Sequence, residues 1–185
     1  ELNIPKKVKK LILFCIPRDI NLIYDISQLE ICNCYDKQYL GKNIKKLTFR
    51  EGFDKEIYEL FPDNMEDLRL CNYSRNLTFP KNIMHLNLGT NFDHYINFEN
   101  FKYLISLNIG NIYRHNITKL PDTLKILIVK NKNRDIINIF PESLECFVNH
   151  GSTNFLCNDF MNFHKNLNSF SVDLSQNEFK YYVNY

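Results

Sequence analysis

Alanine is absent from this chain of 185 residues, glycine is scarce, and no long apolar run occurs. The longest apolar stretches fall far below the roughly 20 residues of a membrane span, which excludes a spanning helix. The formal net charge is only +2, so no strong field gathers nucleic acid or an anionic membrane surface. The opening stretch ELNIPKKVKKLILF has neither a signal peptide's small-residue cleavage site nor a starting Met, which reads as a trimmed or partial chain. The cysteines, at 15, 32, 34, 71, 146 and 157, form no Cys-x-x-Cys pair, and no His-x-x-x-His partner accompanies the tight CNC at 32–34. Asn, Ile, Lys, Tyr and Phe are abundant instead, the bias of an AT-rich coding genome.

What the chain does have is repetition. Prolines stand at 5, 17, 62, 80, 121 and 141, and five of these six open one pattern. Pro121 precedes Leu124, Leu127 and Val129; Pro62 precedes Met65, Leu68 and Leu70. Pro80 precedes Ile83, Leu86 and Leu88; Pro5 precedes Val8, Leu11 and Leu13. Pro141 precedes Leu144 and Phe147, and there the pattern breaks at Asn149. Four further copies lack the proline and start at Ile26, Ile44, Leu104 and Leu167. The nine first anchors are therefore 8, 26, 44, 65, 83, 104, 124, 144 and 167, with a period near 20. A period of that size means a solenoid of stacked turns, because one copy cannot bury its own apolar face.

The last two anchors of each copy are two residues apart, the strand period, so their side chains share one side. Stacked turn on turn, these strands form a parallel β-sheet on one face of the solenoid. Proline lacks an N–H and would damage a sheet interior. Three residues ahead of the anchor it falls in the connection, where we expect it to hold the incoming segment extended. The residue before it, Ile4, Phe61, Phe79, Leu120 or Phe140, is expected to plug the corner. About four residues beyond the strand an aromatic recurs, as Tyr35, Phe53, Phe92 and Tyr113, followed by Tyr39, Ile57, Ile96 and Ile117. So short a turn leaves little room for a helix, and the return side should be extended or 3₁₀.

The full repeat, Leu-Pro-x-x-Leu-x-x-Leu-x-Leu-Gly-x-x-Phe-Asn/Asp-x-x-Ile, resembles the FNIP repeat, a leucine-rich-repeat variant of amoebae and large amoeba-infecting viruses. FPKNIMHLNLGTNFDHYI, 79–96, carries Gly89, Phe92, Asp93 and Ile96 in phase, and 104–117 keeps Gly110, Tyr113, Asn116 and Ile117. A second resemblance is to the short leucine-rich repeats of bacterial effectors, which share the opening but carry an Asn found here only at Asn91. The FNIP resemblance spans nearly the whole chain and departs most at its two ends. It implies a leucine-rich-repeat horseshoe of about nine turns in one domain, 1–185; NEFKYYVNY, 177–185, breaks phase and is aromatic, so 174–185 is expected to fold over the last turn as a C-terminal cap. It also implies a cytoplasmic protein-interaction module, located in the host cytoplasm if viral. In several relatives such repeats follow an F-box, so substrate recognition for a ubiquitin ligase is one alternative and a structural repeat without a specific partner another.

Function is expected on the exposed strand face, at the third, fifth and seventh positions of each copy. Its polar centre holds Arg50, Arg69, His85, Asn87 and Asn108. Farther along, Ile126, Ile128, Cys146 and Val148 make an apolar cluster where solvated residues are expected. We take Arg50, Arg69, His85, Asn87, Asn108, Ile126, Ile128 and Val148 as candidate partner-binding residues for a protein partner, not nucleic acid or membrane. A plain solvated face would also account for the polar centre. Cover by the C-terminal residues, or a one-residue register slip, would account for the apolar cluster. The histidines at 85, 94, 115, 150 and 164 read as different repeat phases, with His94 and His115 solvated on the convex side. No nucleophile–base–acid set can be drawn, so catalysis, metal and cofactor are not expected. The sequons at Asn72, Asn76 and Asn116 are what an Asn-rich chain produces by chance, and lysines of PKKVKK, 5–10, keep an end turn soluble.

Overall fold

Each apolar pair spaced by two becomes the inward side of a strand of three or four residues. A computed structural model describes residues 5, 7–14, 26–32, 42–53, 61–131, 136–137 and 139–150, and the strand backbone of 169–172. The strands are β1 (Lys10–Leu13), β2 (Gln28–Ile31), β3 (Lys46–Phe49), β4 (Asp67–Leu70), β5 (His85–Asn87), β6 (Ser106–Ile109), β7 (Ile126–Val129), β8 (Cys146–Asn149) and β9 (Ser169–Val172). They form one nine-stranded sheet in chain order, every neighbouring pair parallel. The only helical element among the described residues is a 3₁₀ turn, Phe98–Asn100, capped by the Asn97 side chain. The architecture is a short-turn repeat solenoid with a parallel sheet on one face.

Register follows the anchors through all nine copies. Leu11 lies beside Leu29, Leu29 beside Leu47, and Leu107 beside Leu127, which lies beside Phe147. No slip occurs at β7 and β8, where Val129 stands beside Asn149. Asn149 keeps the inward position and is 1% exposed, a polar residue where its neighbours are aliphatic.

The hydrogen-bond ladder repeats with the sequence. On entry to a strand, two consecutive N–H groups donate to one carbonyl of the turn before. Lys45 and Lys46 share the Ser27 carbonyl at 2.9 and 3.0 Å, and Lys125 and Ile126 share that of Ile105 at 2.9 and 3.0 Å. Small polar side chains ahead of the anchor add a second ladder. Asn82 donates to the Asp63 carbonyl at 2.8 Å, Thr123 to Leu104 at 2.9 Å and Ser143 to Leu124 at 2.7 Å.

The proline does more than hold the chain extended. Its carbonyl accepts the N–H of the anchor three residues on, at 3.0 Å for Met65 to Pro62 and 3.1 Å for Leu124 to Pro121. The pair closes a tight turn that starts at the proline. Proline suits that place because the turn uses its carbonyl and not the N–H it lacks. Of the residues preceding proline, Phe61 and Leu120 are buried, and Phe79 and Phe140 pack against the core. Ile4 lies outside the described residues.

The return side is filled by aromatic rings. Phe49, Phe53 and Tyr73 stack, with Phe49 and Phe53 centroids 4.4 Å apart and Tyr73 at 5.8 and 6.0 Å from them. Phe92 and Tyr113 continue the buried column. Tyr35, Tyr39 and Ile57 lie outside the described residues. Burial pushes the Tyr113 hydroxyl up to about 12.

At β5 the ladder bends. Gly89 sits at φ +66° and turns its N–H to Asn87 Oδ1 at 2.9 Å, while Thr90 donates to the Cys71 carbonyl at 2.7 Å. A Cβ on Gly89 would press on the carbonyls of Leu70 and Cys71, and one on Gly110 on the carbonyl of Gly89. The expected cost of Gly89→Ala is about 1–3 kcal/mol, from a left-handed backbone plus this crowding. Denaturant unfolding measures it; an unchanged midpoint contradicts the account. Alkali should also weaken the fold. A phenol whose folded value lies above the ordinary 10 contributes stability that is full below pH 10 and lost as pH rises towards 12. Tyr113→Phe should therefore lose less stability over that interval than the parent chain.

Candidate strand-face binding site

Alternation along each strand divides its side chains between core and outer face. Leu47 and Phe49 of β3 are buried, while Lys46 and Thr48 face out. The register then lines up outward residues in rows that cross the strands. Lys10, Gln28, Lys46, Asp67, His85, Ser106, Ile126 and Cys146 form one row; Ile12, Glu30, Thr48, Arg69, Asn87, Asn108, Ile128 and Val148 form the next. A third row lies at the rim just past the strands, through Phe14, Cys32, Arg50, Cys71, Gly89, Gly110, Lys130 and His150.

Two charge clusters organise the first half of this face. Glu30 is 14% exposed and sits between cations from both flanking turns. Lys10 Nζ approaches it at 2.5 Å, and Arg50 reaches it through Nε at 2.7 Å and a terminal nitrogen at 2.6 Å. The Lys10 hydrogen bond, aided by Arg50 and opposed by partial burial, holds the Glu30 carboxyl below its ordinary 4.5. Arg50 is raised in return, by its hydrogen bond to Glu30. One strand on, Asp67 is 6% exposed and accepts two hydrogen bonds from Arg69, both 3.2 Å. The Arg69 guanidinium is raised by that bond.

Arg50, Arg69 and Asn87 line one open cavity of about 710 Å³, with Phe14, Glu30, Cys32, Thr48, Glu51 and Cys71. The two guanidiniums stay half-exposed, so part of their donor set faces the cavity. Asn87 has one acceptor committed to Gly89. His85 is exposed on the same face, and Asn108 is half-buried one strand on; neither lines the cavity. Ile126, 36% exposed, and half-buried Ile128, Cys146 and Val148 make a contiguous apolar patch on β7 and β8. The eight candidate residues thus fall on one face but in two zones, β3–β6 polar and β7–β8 apolar.

Glu30 and Asp67 are the participants that periodicity alone passes over. Glu30 depends on diagonal neighbours, since Lys10, Glu30 and Arg50 occupy three different rows on three successive turns, whereas Asp67 meets Arg69 two residues on in its own strand. The signal is opposite charge at neighbouring outward positions, one turn apart around Glu30 and two residues apart at Asp67.

The convex-side histidines correct the reading above. His94 and His115 share a phase, each two residues past an inward ring, with centroids 5.5 Å from Phe92 and Tyr113 respectively. His94 bonds the Ser74 carbonyl at 2.8 Å, and His115 the Asp93 carbonyl at 3.0 Å. Asp93 also ties Arg114 across the turns at 2.7 Å. Burial works to raise the Asp93 carboxyl, but the Arg114 bonds outweigh it and hold it low. These groups join turns rather than stand free in solvent.

Cys32, Cys71 and Cys146 are free thiols, and Cys32 and Cys71 lie on rim positions of non-adjacent turns. Burial raises Cys71, which keeps it a thiol at neutral pH. Cys15, Cys34 and Cys157 lie outside the described residues, as does His164. Among the described residues, no three His, Cys, Asp or Glu side chains gather as metal ligands would, and no helix is long and apolar enough to cross a membrane.

Comparison with family models, with curated proteins and with solved structures finds no match for this chain.

The Glu30 cluster has a pH signature. A carboxylate held below its ordinary value contributes stability that is full above 4.5 and lost as pH falls through its lowered folded value. Between pH 5 and pH 3 the parent chain should therefore lose more stability than Glu30→Gln. Urea midpoints across that range test this, and parallel curves would show that the cluster adds nothing.

Proposed function

We propose that this chain is a protein-binding module that takes its partner on the outer face of the parallel sheet and does no catalysis of its own. The observation that carries the reading is that Arg50, Arg69 and Asn87, from three successive turns, converge on one open cavity. Two half-exposed guanidiniums on a rigid sheet are suited to recognising a protein surface, where arginine supplies directional hydrogen bonds. The apolar patch at Ile126, Ile128 and Val148 supplies desolvation energy on the same face. The motif likeness to FNIP-type leucine-rich repeats supports the same function and a cytoplasmic site of action, in an amoeba or in the host of its virus.

The test starts with capture of partners from amoebal cytosol on the immobilised chain, followed by affinity measurement with the purified partner. Arg50→Glu/Arg69→Glu addresses the cavity but leaves Glu30 with Lys10 alone and Asp67 without Arg69. Thr48→Arg/Asn108→Arg crowds the face, beside Glu30 and Arg69 at Thr48, and removes no member of either ion pair. Either double variant should weaken binding about tenfold or more, while Lys81→Glu, on an exposed turn off this face, should not. A partner whose affinity ignores both face variants would remove the site.

A further inference from the structure

The face has more to say about its partner, given the protein-binding reading above. Its charge leans positive. In the three outward rows the described cations are Lys10, Lys46, Arg50, Arg69 and Lys130, and the carboxylates are Glu30 and Asp67. Glu51, beside Arg50, adds one carboxylate to the cavity wall. Both row carboxylates are already held, Glu30 by Lys10 and Arg50 and Asp67 by Arg69. Lys46 and Lys130 are exposed, with no ion pair to a described residue. The excess is positive at β3 and β4, and β5 and β6 separate it from the apolar patch at β7 and β8.

The path between the two zones is low. Along the rim, Cys71, Gly89 and Gly110 follow one another between Arg50 and Lys130, so no long side chain stands in the way. Strands about 4.8 Å apart put β3 and β7 roughly 19 Å from each other, the length of about six extended residues. The face offers few rings: Phe14 and the imidazoles of His85 and His150 are those the outward rows carry among the described residues. That is a poor stacking platform for single-stranded nucleic acid.

We infer that the partner segment is an extended peptide carrying carboxylates at one end and branched aliphatic side chains about six residues away. The carboxylates face Lys46, Arg50 and Arg69, and the aliphatic side chains cover Ile126, Ile128 and Val148. Charge complementarity selects the acidic end, and the apolar patch selects the other.

Selection of a random peptide library, about 12 residues long, on the purified full chain tests this directly. Enriched peptides should pair Asp or Glu with Leu, Ile or Val at a spacing of about six. Their affinity should fall about tenfold in Lys46→Glu, which breaks no ion pair among the described residues, and in Ile128→Asp, and it should weaken with added salt. Circular dichroism of each variant verifies folding, and Lys46→Arg should restore binding. Enriched peptides that need Thr48 and Asn108 but carry no acidic residues would overturn this inference and leave the binding face standing. Peptides indifferent to the whole face, or none, would overturn both. Tighter binding of a poly(U) oligonucleotide to the same face would overturn the peptide and assign nucleic acid instead.

Discussion

Everything in this molecule depends on one constraint: a turn of about 20 residues cannot bury its own apolar side, so it is stable only against the turns before and after it. The parallel ladder meets that constraint. From β2 to β8 each strand entry shares a carbonyl of the preceding turn between two N–H groups, and the small side chains Asn82, Thr123 and Ser143 repeat the same link outside the sheet. Because each turn is keyed to the last, inward leucines lie side by side from β1 to β7 and Phe147 continues their row in β8. The outward residues are placed by the same keying, and the binding face is a by-product of core register.

The polar centre is more structural than its composition suggests. Glu30 draws Lys10 and Arg50 together, and Arg69 folds onto Asp67. A half-buried carboxylate without such partners is costly, so part of each guanidinium serves the fold. What remains exposed is the part that can meet another molecule. Pairing also pre-orients the arginines, which lowers the entropy a partner must overcome.

The repeat was legible because apolar identity is enforced at buried positions. Val8, Ile26, Ile44, Met65 and Ile83 differ in shape yet share a phase that the sheet preserves. Tyr73 was missed in the aromatic column because it follows Leu70 by three residues, where Phe53, Phe92 and Tyr113 follow their strands by four. That 18-residue turn, 65 to 83, is short, and its ring still reaches the Phe49–Phe53 stack. The shared phase of His94 and His115 was countable too. It went unread because surface histidines carry no periodic hydrophobic signal to draw the count.

By itself the sequence determined the number of strands, their parallel order, their register and which residues face outward. Periodicity of buried side chains is local information, repeated until it is unambiguous. Only the tertiary structure decided which outward residues meet, since Lys10, Glu30 and Arg50 converge through side-chain reach across turns. It also decided that proline closes a turn through its carbonyl, and that Gly89 and Gly110 stand where neighbouring carbonyls leave no room for a Cβ. Those facts depend on distances between turns, which hydrophobic spacing does not encode.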